Sequence, residues 1–240
     1  MEVLIPSWFL IYRFLFRLKG VSVVNRPIRA VPLAVRLIPS VDVELAKQFD
    51  LKPEIRSLGL LTSSIDDVGY TAIDEATKQA AVEVIYAKSF YAGSAHASGP
   101  LSGEFIGMIG GESPAEVKSG LEAAIALMKD GACFYSLNED DSHAYYAHVV
   151  SRTGSYLSKT AGIREGESLA YLIAPPLEAM YALDAALKAA DVRLCQLYAP
   201  PSETNFGGGL LTGSQSACQA AADAFAEAVR EVANAPVRLS

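Results

Sequence analysis

The chain is poor in the residues that usually build disulfide frameworks and metal centres. It has three cysteines and three histidines among 240 residues, and no Cys-x-x-Cys or paired Cys/His spacing connects them. Cys133, Cys195 and Cys218 are widely spaced, which predicts reduced, mostly buried thiols in a cytosolic protein. His143 has acidic neighbours but no third ligand at a suitable spacing, so no structural metal is predicted.

Motifs of several enzyme classes are missing as well. The glycines of Phe206–Gly209 are not followed by Lys-Ser/Thr, which excludes a phosphate-binding loop there. No serine lies in a G-x-S-x-G strand-to-helix turn, so a nucleophile elbow is excluded. The sequence therefore predicts neither a cofactor nor a catalytic centre of these types.

Basic residues are also fewer than acidic ones. The net charge is −7, which argues against a nucleic-acid partner. Half of the residues are apolar (51%) and a fifth are charged (20%), a composition typical of globular proteins. A chain of 240 residues is long enough for two domains that each bury a core.

Residues 1–21 differ in composition from the rest. Their apolar run is too short for a membrane span and Arg13 interrupts it, while the basic start and cleavage site of a secretory signal are missing. One interpretation is an amphipathic surface anchor. The other, which we favour, is a start codon assigned too early, with translation beginning near Val21. Membrane contact is not expected.

The stretch Gly103–Gly131 predicts a strand, a turn and a helix. Glu104–Ile109 is apolar enough for a strand. Ser113 can cap the helix with Pro114 at its first position, and Glu116 has the spacing that completes a capping box.

The same pattern returns about a hundred residues later, which predicts a domain duplication. Gly110 matches Gly213 directly, whereas the apolar stripe of the first helix, Val117, Leu121, Ile125 and Met128, matches best with one residue of extra offset. The stripe in the second copy consists of Ala221, Phe225, Val229 and Val232.

The elements upstream of this unit repeat too. Predicted helices at Asp74–Val84 and Leu177–Ala190 each lead to a strand that ends in Tyr-Ala before a loop. In the first half, Ser63–Asp67 predicts a turn and Tyr70–Ile73 a strand. Strands alternate with helices in both halves, which favours an α/β or α+β fold whose helices cover one face of a sheet.

Several phrases resemble one family. They are EIRSLGLL (54–61), DDVGYTAIDEATKQAAVEVIYAKSFYAGSAH (66–96), AHVVSRTGSYLS (147–158), AYLIAPPLEAMYALDAALKAADV (170–192), PPSETNF (200–206) and LLTGSQSACQAA (210–221). The chain is similar to the EutL family, the tandem-domain shell proteins of the ethanolamine-utilisation bacterial microcompartment.

The resemblance implies two tandem, circularly permuted bacterial microcompartment domains with a ferredoxin-like arrangement of sheet and helices. The first is expected at 22–131 and the second at 132–240, after an extension at 1–21. A homotrimer would imitate a hexagon and contact other microcompartment shell proteins, and its localisation would be the microcompartment shell in the cytoplasm.

The resemblance also implies an ethanolamine site in a small pore between the two domains. Its residues would be Asp66, Glu104, Phe134 and Thr204, with Asp67 as a weaker candidate. An ammonium ion with a hydroxyl group suits carboxylates, a polar partner and an aromatic wall. On composition alone, the two aspartates are turn formers and Glu104 is a solvated strand end.

Two loops, 92–102 and 199–204, occupy equivalent positions in the repeat. The resemblance implies that they surround a central pore on the threefold axis and open or close it. Small residues and tolerant backbone angles suit a moving loop, although an ordinary surface loop has the same composition. The pore-loop candidates are Gly93, Ser94, His96, Gly99, Pro100, Ser202 and Glu203.

Two competing functions use the same carboxylates. A soluble amine-binding or sensor protein would use the interdomain pocket without building a shell. An acid/base enzyme would use Asp66 and Glu104, but no positioned partner or cofactor motif accompanies them. The sequence therefore favours a non-catalytic shell protein with gated transport.

Overall fold

The computed structural model describes residues 25–90, 99–202 and 204–238. Residues 1–21, which form the predicted N-terminal extension, lie outside this part of the chain. The strands of the first half are β1 (Arg26–Arg29), β2 (Pro32–Ile38), β3 (Ser57–Ser63), β4 (Val82–Ser89) and β5 (Phe105–Gly111). Its helices are α1 (Val43–Gln48), α2 (Asp66–Gln79) and α3 (Pro114–Ala126), and α3 ends in a π-helical turn, Leu127–Gly131.

The second half repeats this order of elements. Its strands are β6 (Cys133–Ser136), β7 (Ala144–Val150), β8 (Ser168–Ala174), β9 (Val192–Tyr198) and β10 (Gly207–Gly213). Its helices are α4 (Ser155–Ala161), α5 (Pro176–Ala189) and α6 (Gln215–Asn234). The predicted mixture of strands and helices, repeated along the chain, is confirmed.

Two antiparallel sheets carry the duplication. One has the order β2-β3-β5-β4, and the other contains the equivalent order β7-β8-β10-β9. The second sheet is extended by β6 and then β1, which pair through Arg26↔Ser136 and Arg29↔Cys133. Strand β1 thus joins the sheet of the other half, across the domain boundary predicted near residue 131. The domain limits themselves stay a prediction.

Helix α2 corrects the sequence analysis. It begins at Asp66, whereas a turn had been predicted at Ser63–Asp67, a strand at Tyr70–Ile73 and the helix only from Asp74. The two aspartates lie in the first helical turn, where the partial positive charge of the helix N-terminus stabilises carboxylates. The helix ends at Gln79 and Val82 already belongs to β4, so the predicted helix was displaced towards the C-terminus.

The capping predictions for α3 are partly correct. Ser113 Oγ accepts a hydrogen bond from the Glu116 amide and Pro114 is the first helical residue. The Glu116 carboxylate does not return to the cap, because it accepts from the Ala81 amide ahead of β4 (2.9 Å).

The caps also correct the register of the repeat. Ser214 caps α6 as Ser113 caps α3, and Val117 and Cys218 are each buried four residues after the cap. Gly111 and Gly213 end the equivalent strands β5 and β10, so the predicted match of Gly110 with Gly213 was wrong by one residue. The caps are 101 residues apart and the strand ends 102, so the helix is offset by one residue less than the strand, whereas one residue more was predicted.

Helices cover one face of each sheet and the core lies between these layers. Among the largest fully buried side chains are Tyr146, Phe105 and Phe225. All three cysteines are free, with Cys133 and Cys218 buried and Cys195 partly exposed, as predicted. None of the helices in the described residues has the length and apolar character needed to cross a bilayer.

Candidate functional site between the two halves

One face of α2 joins the first half to the second, and we call this contact the seam. At its start, the Tyr171 hydroxyl on β8 donates to Asp67 Oδ1 at 2.6 Å. One turn later, the Thr71 and Tyr146 hydroxyls are hydrogen-bonded at 2.8 Å. Both pairs are buried, so the seam begins with a polar network that is shielded from solvent.

The seam continues through Asp74, which is fully buried. Its two carboxylate oxygens accept from the amides of Gly154 and Leu157, each at 2.8 Å, at the start of α4. Lys78, one turn further, donates to the carbonyl of Arg152 at 3.2 Å. Burial raises the pKa of Asp74, and the two amide hydrogen bonds act against that rise.

A cavity of about 180 Å³ opens beside the first turn of α2. At about 30 Å³ per water molecule, it has room for about six waters or a small organic ion. Its lining comes from both halves and consists of Asp66, Asp67, Tyr70, Ser89, Tyr156, Leu157, Thr160, Tyr171, Ile173, Tyr198, Ser202 and Thr204.

Carboxylates determine the electrostatics of this cavity. Asp66 and Asp67 are both buried, and Asp66 Oδ1 accepts from the Asp67 amide at 2.9 Å. Burial raises the pKa of Asp67 well above its usual range and the charge of Asp66 adds to the rise, while the Tyr171 hydroxyl opposes it. Burial and Asp66 together raise the pKa of Glu104 to about 7. These carboxylates therefore bind protons more readily than exposed ones, and a bound cation would favour their charged forms.

The structure brings most of the predicted site residues together. Asp66, Asp67 and Thr204 line the cavity. Glu104 is partly buried and does not line it, but it interacts electrostatically with both aspartates.

Phe134 does not line the cavity and reaches its wall only through Tyr146. Its ring stacks on Tyr146 with centroids 5.1 Å apart and meets Phe206 edge-on at 6.0 Å. Tyr146 in turn packs edge-on against Tyr171 at 5.4 Å. Phe134 thus supports the aromatic wall from behind.

The wall itself is made of tyrosines, which the sequence analysis missed. Tyr70 and Tyr156, from different halves, stack with centroids 6.0 Å apart and rings inclined by 7°. Tyr171 and Tyr198 complete the wall. Tyr70 follows Asp66 by four residues, so it would have been found if the helix had been predicted to start at Asp66, because side chains at that spacing share a helix face.

The described parts of the two predicted pore loops differ in their position relative to the cavity. Gly99 and Pro100 lie away from the cavity, in a turn that is closed by the Ser102 amide donating to the Gly99 carbonyl (3.1 Å) and held on β3 by Thr62 Oγ1 donating to the Leu101 carbonyl (2.6 Å). Ser202 lines the cavity. Gly93, Ser94, His96 and Glu203 lie outside the described residues.

The histidines offer no metal site in the described part of the chain. His143 pairs with Glu178 at 3.0 Å, while Asp141 pairs with Arg26. Across residues 25–90, 99–202 and 204–238, no three His, Cys, Asp or Glu side chains are arranged to hold a metal ion.

Comparisons with known proteins identify relatives of this chain. A family model of the BMC domain matches residues 57–137. The bacterial microcompartment shell protein EutL of Clostridium perfringens (strain 13 / Type A) is 64% identical over 213 residues, which is 89% of this chain and 98% of that protein.

Solved structures extend the comparison to the fold. The crystal structure of the ethanolamine utilization protein EutL from Leptotrichia buccalis C-1013-b has a TM-score of 0.87 and 66% identity, covering 90% of this chain and 99% of that one. The trimeric bacterial microcompartment shell protein PduB shares the fold at a TM-score of 0.70 and 21% identity, over 83% of this chain and 87% of that chain.

Proposed function

Because the chain belongs to the EutL family of bacterial microcompartment shell proteins, we propose that it forms a homotrimeric tile that binds ethanolamine in its seam cavity. Its role as a shell protein of ethanolamine utilisation follows from its relatives, which match nearly their whole length. The homotrimer, the ethanolamine ligand and the pores are our proposals for this chain, and we propose no catalytic reaction in the cavity.

The duplicated fold supports the trimer. The two halves of one chain have the same strand order. Three chains around one axis would therefore contain six similar units. A ring of this kind closes on itself through head-to-tail contacts. Tiles of hexagonal outline can then extend into a layer with other shell proteins.

The carboxylates of the cavity are the main evidence that it binds a small ammonium ligand. Asp66 and Asp67, both buried, provide carboxylate oxygens as acceptors in the cavity wall. The tyrosine rings provide faces that attract cations. Thr204 and Ser202 provide polar groups for the hydroxyl of ethanolamine.

The two predicted pore loops support a role in transport. Segments 92–102 and 199–204 follow equivalent strands β4 and β9, so three copies of each would surround the central axis of a trimer. We propose that they form a central pore whose opening they control. Since Ser202 and Thr204 also line the cavity, a ligand bound there would contact one of these loops.

Calorimetry with ethanolamine tests the ligand. We expect Asp66→Asn to weaken binding by about 1–3 kcal/mol, the range for a charge-assisted contact. Asp223→Asn on the exposed surface of α6 is a matched control that should bind as the unmodified protein does. Equal affinity in both variants would remove the cavity from the proposal.

An amine sensor that acts without a shell is the second candidate. It is favoured by the fact that residues of a single chain already form a cavity lined by carboxylates and tyrosines. Native mass and electron microscopy distinguish the two functions. Trimers that form flat sheets support the tile, whereas a monodisperse monomer that binds ethanolamine supports the sensor.

A further inference from the structure

The seam cavity is larger than the ligand proposed for it. Its volume of about 180 Å³ gives room for about six waters. Ethanolamine has only about four non-hydrogen atoms, so it fills part of that volume. Covalently bonded atoms lie closer together than neighbouring waters do, so an ion of about seven non-hydrogen atoms also fits. The cavity therefore has space for additional groups on the ligand.

Acidic and hydroxyl groups provide the polar part of the lining. Asp66 and Asp67 contribute two buried carboxyl groups. Ser202 and Thr204 contribute hydroxyl groups from the segment between β9 and β10. Within the described part of the chain, none of the lining residues is a lysine, an arginine or a histidine. A ligand that carries a positive charge and a hydroxyl group therefore suits this lining.

The acidic pair already has hydrogen-bond donors within the protein. Asp67 Oδ1 accepts from the Tyr171 hydroxyl at 2.6 Å, and Asp66 Oδ1 accepts from the Asp67 amide at 2.9 Å. A site whose oxygens depend on the ligand for donors rejects an analogue without N–H groups, because those oxygens are left unpaired. Here the two oxygens keep their donors whatever the ligand nitrogen carries. The pair therefore attracts a cation by its charge, which methylation of the nitrogen leaves unchanged.

The tyrosine rings suit a methylated ammonium group. The hydroxyls of Tyr70 and Tyr171 donate to other side chains of the lining, so the rings rather than these hydroxyls are left for a ligand. Tyr156 and Tyr198 bring the number of rings at the cavity to four. Aromatic rings attract cations, and several rings around one cation are typical of sites for quaternary ammonium groups.

Apolar side chains complete the lining. Leu157 and Ile173 belong to it and are both buried. A methyl group on the ligand nitrogen would lose contact with water against the rings or these side chains, which contributes up to about fourfold in affinity per methyl group. Methylation is therefore expected to strengthen binding rather than to weaken it.

We propose that the seam cavity binds N-methylated derivatives of ethanolamine, including the quaternary ion choline, in addition to ethanolamine itself. The inference rests on the ligand proposed above and extends it to a class, the small hydroxylated ammonium ions. The charged group would lie between the acidic pair and the tyrosine rings. The hydroxyl group, which all members of the class share, would contact Ser202 or Thr204.

Calorimetry on the full chain with three ligands tests the inference. They are ethanolamine, choline and the neutral carbon isostere of choline, in which a tert-butyl group replaces the trimethylammonium group. We expect choline to bind up to about tenfold more tightly than ethanolamine and to displace it. The isostere has the shape of choline without its charge, so it should bind at least about tenfold more weakly than choline.

A pair of variants at Tyr156 tests the role of the rings. Its ring stacks on Tyr70 with centroids 6.0 Å apart. Tyr156→Leu removes one ring from the wall, and we expect it to weaken choline binding about three- to tenfold more than ethanolamine binding. Tyr156→Phe keeps the ring and should keep the ratio of the two affinities. Thermal unfolding shows whether each variant is folded, and the comparison of ligands on the unmodified protein does not depend on either.

The outcomes separate this inference from the proposed function. If ethanolamine binds but choline binds more than tenfold more weakly, or binds without displacing ethanolamine, the inference is overturned and the ethanolamine site stands. Equal affinity for choline and its neutral isostere would also overturn it, since charge would then play no part. If neither amine binds, the inference and the proposed ligand are both wrong.

Discussion

Replacement of Asp67 by asparagine separates the electrostatic role of the cavity from its structural role. Asparagine keeps the shape of the side chain and an oxygen that can accept from Tyr171, which donates to Asp67 Oδ1 at 2.6 Å. It removes only the negative charge. We therefore expect Asp67→Asn to weaken ethanolamine binding without a loss of stability.

The expected magnitude follows from the surroundings of Asp67. The side chain lines the cavity and only 7% of the residue is exposed, so solvent screens its charge poorly. A hydrogen bond to a charged group in such a site contributes about 1.5–3 kcal/mol, which corresponds to a dissociation constant about ten- to hundredfold higher. Because burial raises the pKa of Asp67, the negative charge of this side chain does not stabilise the fold, and the neutral asparagine should be tolerated. The midpoint of thermal unfolding should therefore change by less than about 3 °C.

Two assays on the same samples give the answer. Calorimetry measures the affinity for ethanolamine, and thermal unfolding without ligand measures stability. Asp223→Asn serves as the control for loss of one negative charge elsewhere. If Asp67→Asn binds ethanolamine normally, or if it loses affinity only together with a large fall in the unfolding midpoint, the electrostatic argument is refuted.

Two further predictions concern the pH dependence of stability and the close packing of the seam. The pKa of Glu104 is about 7 in the folded chain against an ordinary 4.5, so its proton stabilises the fold at low pH and this contribution is lost as pH rises from about 4.5 to about 7. Urea unfolding without ligand measures the free energy of unfolding at each pH. Between pH about 4.5 and about 7, this free energy should fall less for Glu104→Gln than for the unmodified protein. Parallel pH profiles of the two proteins would contradict this. A Cβ on Gly154 would stand 2.2 Å from Thr77 Oγ1 and 2.6 Å from the Asp74 carbonyl oxygen, so Gly154→Ala should destabilise the fold by about 1–3 kcal/mol in the same assay. Gly99→Ala, with no neighbouring atom within 4 Å, should have little effect, and equal stability of the two variants would show that the seam can relax.

Local patterns in the sequence were sufficient where the signal repeated. The helix predicted at Leu177–Ala190 differs from α5 by one residue at each end. Its apolar residues recur at helical spacing, and Pro175 lies directly before its first residue, Pro176. Family membership followed from phrases spread over both halves.

The same local reasoning failed at the start of α2. Ser63–Asp67 contains residues that are common in turns, but Asp66 and Asp67 lie in the first helical turn. Strand β1 was missed because its four residues, RPIR, have no alternating pattern and pair with a strand more than a hundred residues away. In both cases the decisive interactions lie outside the window that a local pattern covers.

By itself, the sequence determined the duplication, the class of fold and the family, since these depend on the order and periodicity of residues along the chain. Only the tertiary structure decided which side chains meet in the cavity. It brought Tyr70, Tyr156, Tyr171 and Tyr198 together from distant elements and placed Phe134 behind Tyr146, outside the lining. It also showed that α2 is covered within the chain while the equivalent face of α5 is exposed, because burial depends on how elements pack rather than on the residues of one helix.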